Sequence, residues 1–177
     1  MNKNLIAVAV LVTSAFTTNV FASNGEISFK GAIIPNPCDV TTDTANQVVQ
    51  LGTIGVNAFK FTGDTAATRN FSIKLTNCPT TVTNAAVVFE GTGTGPVAND
   101  NSALALTDAP DVATGVGVQI VDAQNQVVKM REDSSAYPLL SGTAVNTLSF
   151  SASYVSTAAT VTSGSANAVT NFTITYP

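Results

Sequence analysis

The chain contains two cysteines, Cys38 and Cys78, which are the first residues whose chemistry the sequence indicates. A redox-active or nucleophilic cysteine requires a C-x-x-C spacing or a histidine partner, and the chain has neither. Two cysteines in an exported protein instead predict one structural disulfide. In the chain-entropy model, closing a loop of this length stabilises the fold by about 4 kcal/mol.

The other groups needed for catalysis are missing or scattered. Histidine is absent, which removes the usual general base and the commonest zinc and copper ligand. The adjacent carboxylates Glu132 and Asp133 would point to opposite faces of a strand, so we expect a solvated loop there. The glycine-rich residues 91–95 lack the lysine and the following helix of a phosphate-binding loop. The sequence therefore predicts no enzymatic activity, no metal and no cofactor.

The charge balance excludes a further class of partner. Acidic residues outnumber basic ones by 11 to 7, which gives a net charge of −4. A nucleic-acid-binding surface needs clustered basic residues, so we expect no nucleic-acid partner. Charged residues make up only 10% of the chain, against about 25% in typical soluble domains. A surface with so few charges suggests that much of it is covered by partners.

The N-terminus has the pattern of a secretory signal peptide. Lys3 precedes the apolar residues 5–16, and small residues lead to a cleavage site after Ala22. Cleavage after Ala15 is the alternative. The apolar stretch is shorter than the roughly 20 residues that a membrane-spanning helix needs, so we predict export and no membrane span. The predicted signal peptide comprises residues 1–22, and export places both cysteines in an oxidising compartment.

Short alternating segments organise the rest of the chain. Apolar residues alternate with polar ones at a period of two, which is typical of half-buried strands, and no segment shows a sustained helical stripe. These segments predict one antiparallel β-sandwich of immunoglobulin type, with a small closed barrel as the alternative. The predicted strands are residues 26–34, 47–51, 69–76, 85–90, 115–121, 126–130, 145–155 and 168–176.

The last predicted strand keeps its pattern to the end of the chain. One face carries Ala168, Thr170, Phe172, Ile174 and Tyr176, and the other carries Asn171, Thr173 and Thr175. Terminal residues usually fray, because few contacts offset the entropy of ordering them. A terminus with this pattern must therefore be held by other parts of the molecule or by a partner.

Three segments together resemble a known family. They are Gly25-Glu-Ile-Ser-Phe-Lys-Gly-Ala-Ile-Ile34 followed by Pro37-Cys38, then Phe71-Ser-Ile-Lys-Leu-Thr-Asn-Cys78, and finally Phe172-Thr-Ile-Thr-Tyr176. The combination resembles subunits of chaperone–usher pili, specifically the type 1 fimbrial major pilins. The resemblance implies an immunoglobulin-like sandwich that lacks its last strand. A strand donated by a partner would complete it, beside the C-terminal strand.

The resemblance also implies roles for particular residues. Residues 23–37 would form an N-terminal donor extension, and residues 38–177 would form the pilin domain. The donor face would carry Gly25, Ile27, Phe29, Gly31 and Ile33. The acceptor edge, which also faces the chaperone, would carry Ala168, Thr170, Phe172, Ile174 and Tyr176.

The implied function is that of a structural fimbrial subunit in surface adhesion. Its partners would be neighbouring pilin subunits in a head-to-tail homopolymer, a periplasmic chaperone and an outer-membrane usher. The route would lead through the periplasm to a fimbrium on the cell surface. Alternatives are a minor or adaptor pilin, an assembly terminator, or a free-standing secreted immunoglobulin-like binding domain. In the last case Ile27 and Phe29 would belong to an ordinary first strand. Cleavage after Ala22 leaves only Ser23 and Asn24 ahead of Gly25.

Overall fold

The computed structural model describes residues 26–31, 33, 37–91, 96–97 and 100–177. The chain divides into two units, Met1–Ile33 and Ile34–Pro177. The predicted signal peptide and its two alternative cleavage sites lie outside the described residues, as does Gly25 of the predicted donor face.

The second unit contains two antiparallel sheets. The strands are β1 (Asp39–Val40), β2 (Thr65–Thr76), β3 (Asn84–Phe89), β4 (Pro96–Val97), β5 (Asp100–Leu104), β6 (Val116–Asp122), β7 (Tyr137–Pro138), β8 (Asn146–Ser156) and β9 (Phe172–Thr175). One helical turn, α1 (Thr42–Ala45), and a 3-10 turn, Val56–Ala58, precede β2. The larger sheet has the strand order β1-β2-β8-β6-β5-β4, and the smaller has the order β7-β3-β9.

The two sheets pack through their apolar faces. The longest strands, β2 and β8, pair so that Phe71 lies opposite Phe150 and their inward side chains share one face. Phe89 of the other sheet contacts both rings, with centroid distances of 6.3 Å to Phe71 and 5.4 Å to Phe150. Ile73, Leu75 and their neighbours are fully buried around this cluster. The predicted antiparallel sandwich is therefore confirmed.

Several predicted strand boundaries are wrong in informative ways. Residues 47–51 and the described residues of 26–34 form no strand. Residues 126–130 contribute only an isolated bridge between Val121 and Val127. The C-terminal strand begins at Phe172 rather than at residue 168. Alternation identifies a chain segment that can pair, whereas an assigned strand also needs a partner within hydrogen-bonding distance.

The strand β8 defines two ends of the second unit. At its first residue, the Asn146 side chain lies 3.5 Å from Cys78 Sγ, and we call this the cysteine end. At its last residue, Ser156 Oγ donates a hydrogen bond to Phe61 O at 2.6 Å, and we call this the Phe61 end. Among the described residues, no helix is long and apolar enough to cross a membrane.

Candidate functional site: an unpaired strand edge

The C-terminal strand β9 lies at the edge of the smaller sheet. It pairs with β3 alone, with Phe172 opposite Phe89 and Thr175 opposite Ala86. The Glu90 amide donates to Asn171 O at 3.0 Å, which fixes the phase of the ladder. Because paired residues alternate in an antiparallel ladder, the peptide groups of Phe172 and Ile174 point away from β3. Within the described part of the chain, no strand pairs with them.

The side chains of this segment alternate as the sequence predicts. The even-numbered residues from Ala168 to Tyr176 are half-buried, whereas Asn171 and Thr173 are exposed. Phe172, Ile174 and Tyr176 pack against the core without being covered. Thr170 continues the pattern, and its hydroxyl accepts a hydrogen bond from the Gly91 amide at 3.0 Å. The face is therefore apolar, partly open and bordered by an unpaired backbone edge.

Tyr176 holds the end of this segment in place. Its hydroxyl oxygen accepts a hydrogen bond from the Cys38 amide at 3.0 Å, across 138 residues of sequence. Burial raises the pKa of Tyr176, the nearby Asp39 carboxylate adds to this rise, and the hydrogen bond from Cys38 opposes it. The hydroxyl therefore stays protonated at neutral pH. This contact holds the chain after β9 in place as far as Tyr176.

Cys38 and Cys78 form the predicted disulfide, which is confirmed. Their Cα atoms lie 4.2 Å apart, and both side chains are buried. Cys38 directly precedes β1, and Cys78 follows β2 after one intervening residue. The bond therefore fixes the start of the second unit to the end of a central strand, beside the Tyr176 contact.

The described residues of the first unit carry an exposed apolar alternation. Residues 26–31 and 33 have no regular secondary structure. Ile27, Phe29 and Ile33 are 80%, 92% and 101% exposed, and polar residues separate Ile27 from Phe29 and follow Phe29. Around Gly31, the space that a side chain would enter is open. Exposed large apolar side chains in a regular alternation are typical of a surface that a partner covers.

A second segment with strand-like alternation, ending before Gly52, has no backbone partner among the described residues. Residues 48–54 make no backbone hydrogen bond with any described residue. Val49 and Leu51 are half-buried while Val48 and Gln50 are exposed, which is the alternation of a strand. The pattern predicted for residues 47–51 is thus present, but the ladder is missing. Like the free edge of β9, this segment can accept hydrogen bonds from an added strand and donate them to it.

The remaining surface offers no reactive constellation in the described residues. A depression of about 480 Å³ on the larger sheet is lined mainly by amide and hydroxyl side chains, with Asp122 beside them. Glu132 accepts a hydrogen bond from Asn101, and Asp133 accepts one from Thr175, so the two carboxylates serve separate contacts. No three described residues among the acidic and cysteine side chains are placed to hold a metal ion.

Comparison with known proteins shows similarity over nearly the full chain. Residues 27–177 match the family model described as "Fimbrial protein". Long polar fimbria protein A of Salmonella typhimurium is 39% identical over 173 residues, which cover 97% of this chain and 93% of the relative. A type-1 fimbrial protein subunit of Serratia marcescens is 33% identical, with 99% of each chain covered.

Solved structures show the same fold. A type I fimbria protein and antigen of Burkholderia pseudomallei matches with a TM-score of 0.59 and 36% identity, covering 79% of this chain and 89% of that one. The P pilus rod subunit PapA matches with a TM-score of 0.66 and 23% identity, covering 80% of this chain and all of its own.

The two-sheet sandwich is therefore the immunoglobulin-like fold of chaperone–usher pilins. The chain belongs to the fimbrial protein family and is a structural subunit of an extracellular fimbrium, in which pilins polymerise with one another. The resemblance seen in the cysteine segments and the C-terminal strand is confirmed. The alternation of residues 47–51 predicted a strand but gave no sign that this segment lacks a backbone partner among the described residues.

Proposed function

We propose that this pilin polymerises by donor-strand exchange. The extension, residues 23–37, would add to the free edge of β9 in a neighbouring subunit. Its residues Gly25, Ile27, Phe29, Gly31 and Ile33 would face the half-buried apolar face beside that edge, which we call the groove. The single observation that carries the proposal is that one chain has both features: an unpaired, half-buried edge at Phe172 and Ile174, and an exposed apolar alternation at Ile27 and Phe29. Strand addition satisfies the backbone of that edge and buries the alternating side chains.

The position of Tyr176 supports one direction for the donated strand. Its contact with Cys38 puts the C-terminal end of β9 at the cysteine end, from which the chain's own extension leaves. The root of an extension is its C-terminal end, where it joins its own domain next to Cys38. If the root of an incoming extension also lay at the cysteine end of the acceptor, two cysteine ends would meet and the pair would close on itself. Growth of a fibre requires the incoming root at the Phe61 end. The donated strand therefore runs antiparallel to β9, which gives an open, heterologous assembly.

The same edge explains the need for assembly partners. An uncovered apolar groove with an unpaired strand aggregates readily, so a periplasmic chaperone would cover it until an outer-membrane usher exchanges the chaperone for the next subunit. This route leads from the periplasm to the cell surface. The role is structural rather than catalytic. Exposure of Ile27 and Phe29 counts against a free-standing secreted binding domain, since such a domain gains nothing from an uncovered arm.

A peptide-binding experiment tests the proposal. The mature chain, residues 23–177, is mixed with a peptide spanning residues 23–33, and its thermal midpoint is followed against peptide concentration. Binding to the folded state raises the midpoint by mass action, so we expect a large, concentration-dependent increase. A peptide carrying Phe29→Asp is the matched control and should have little effect. A chain that is monomeric, highly stable and indifferent to the native peptide would refute strand donation.

A further inference from the structure

The loop formed by residues 139–145 is firmly held at the cysteine end. Gly142 exchanges two backbone hydrogen bonds with Cys78, at 3.1 and 2.7 Å. The buried Asn146 side chain accepts from the Leu140 amide at 2.7 Å and donates to the Leu140 carbonyl at 2.9 Å. Thr76 Oγ1 donates to Thr143 O at 3.2 Å. These bonds fix the loop at both ends and in the middle.

This fixed loop nevertheless exposes two large aliphatic side chains. Leu140 is 66% exposed and Val145 is 59% exposed. The backbone of Leu140 is hydrogen-bonded to the Asn146 side chain, and Val145 directly precedes Asn146, so both residues lie where the loop closes. We call these two residues the loop patch. Because the backbone is already ordered, a partner that covers the patch gains apolar burial without further cost in loop entropy.

A second exposed apolar residue lies at the opposite end of the unit. Phe61 is 74% exposed. Its carbonyl accepts from Ser156 Oγ at 2.6 Å, and its amide donates to Asp64 Oδ2 at 2.8 Å. The 11 residues of β8 separate the two ends, a distance of about 35 Å for an extended strand. Phe61 therefore cannot cover the loop patch of its own subunit.

We propose that consecutive subunits make a second contact outside the donated strand, in which Phe61 of one copy packs on Leu140 and Val145 of the next. The occupant of the patch is thus a second copy of this chain. The inference rests on the proposed strand donation, since an incoming root at the Phe61 end brings the donor's cysteine end against that end of the acceptor. Two different apolar surfaces at opposite ends are what an open, heterologous contact requires.

This contact has a different role from the donated strand. The extension supplies a long backbone ladder, whereas one aromatic ring against two aliphatic side chains buries little area. A small, preordered contact of this kind fixes the angle between successive subunits rather than holding them together. Ser141, Gly142 and Thr143 between the two aliphatic residues supply an exposed, uncharged rim.

Cysteine cross-linking tests the contact in assembled fibres. Phe61→Cys and Leu140→Cys are placed in one chain, fibres are assembled and pelleted, and the pellet is oxidised. A denaturing, non-reducing gel should then show a ladder of covalent multimers that collapses on reduction. Phe61→Cys alone should give dimers at most. Phe61→Cys with Val127→Cys, a pair that uses another exposed apolar position, should give no ladder.

The two proposals fail in distinguishable ways. If the wild-type chain forms no pelletable fibre, strand donation is wrong, and the second contact is wrong with it. If fibres pellet normally but the Phe61→Cys, Leu140→Cys chain gives no more covalent multimers than the Val127 control, the second contact is wrong while strand donation stands. A ladder specific to the predicted pair supports both.

Discussion

At the scale of single residues, Asp122 shows how a buried carboxylate serves structure in this protein. It ends β6 and is only 4% exposed. Its Oδ1 accepts from the amides of Gln124 and Gln126, each at 2.9 Å, and its Oδ2 accepts from the Ser135 amide at 3.1 Å. Burial alone raises the pKa of Asp122, but the hydrogen bonds from Ser135, Gln126 and Gln124 outweigh it and hold the pKa below its usual range.

We expect Asp122→Asn to destabilise the folded subunit at neutral pH by about 1–3 kcal/mol, because an amide NH₂ would face a buried donor. The lowered pKa means that the carboxylate's contribution is present above the unfolded-state value of about 3.9 and is lost as the pH falls through the folded-state value. Urea unfolding of the wild type and the variant, from neutral pH into acid, measures this difference.

The difference between the two curves should therefore close in acid. Asp108→Asn, at an exposed position, is the matched control and should leave the free energy of unfolding unchanged at neutral pH. A gap for Asp122→Asn that is independent of pH would show that the charge of this carboxylate contributes nothing.

Sequence reasoning at this scale identified the important residue but not its contact. Tyr176 stood out because the pattern reached the penultimate position. The amide of Cys38, 138 residues away, carries no sequence signal as its partner. The disulfide could be predicted from the sequence, because two cysteines in an exported chain allow one pairing. The burial of Asp122 carries no sequence signal, since it depends on later residues such as Ser135 packing around its carboxylate.

At the scale of elements, alternation predicted the strands whose two faces meet different environments. β2, β3, β6 and β8 were all found, with ends shifted by a few residues. The two-residue strands β1, β4 and β7 are too short to show a period. Residues 48–51 alternate but remain unpaired among the described residues, because pairing depends on a neighbour that the local pattern does not encode. The described residues of 26–33 also alternate without pairing, and for them we propose the edge of β9 in a neighbouring subunit as the partner.

We expect Phe29→Asp to block polymerisation while leaving export intact. The substitution places a carboxylate against an apolar face, and burying an unpaired charge is strongly unfavourable. Ser28→Asp, on the opposite face of the same segment, is the matched control. Surface fibre yield and periplasmic subunit level, measured in parallel, separate assembly from export. Normal fibre yield from Phe29→Asp would contradict the assigned donor face.

At the scale of the whole molecule, β9 combines an unpaired backbone edge with a half-buried apolar face. The core between the sheets is closed by the three-ring cluster of Phe71, Phe89 and Phe150. The edge of β9 is held from one side by β3 and at its end by the cysteine region. The sequence predicted this class of sandwich, because period-two segments and turn signals run through the whole chain. The two ends and their different apolar surfaces could be identified only from the three-dimensional contacts.

The disulfide should support the whole of this arrangement. Its cysteines are 40 residues apart, and a loop of that length predicts a loss of about 4 kcal/mol when Cys38 and Cys78 are both replaced by alanine. Because the Cys38 backbone amide donates to Tyr176, freeing residue 38 from the disulfide should loosen the end of β9 as well as the core. We therefore expect the variant to bind the peptide of residues 23–33 more weakly than its fall in stability alone explains.

Two measurements separate these effects on the whole molecule. Urea unfolding of the peptide-free Cys38→Ala, Cys78→Ala chain gives the loss in folding free energy, and calorimetric titration below its unfolding transition gives the peptide affinity of the folded fraction. Tyr176→Phe, which removes the hydrogen bond from the Cys38 backbone amide and keeps the disulfide, is the control. It should reproduce the loss in affinity with a much smaller loss of stability. Unchanged peptide affinity in both variants would show that the Cys38–Tyr176 contact does not shape the acceptor edge.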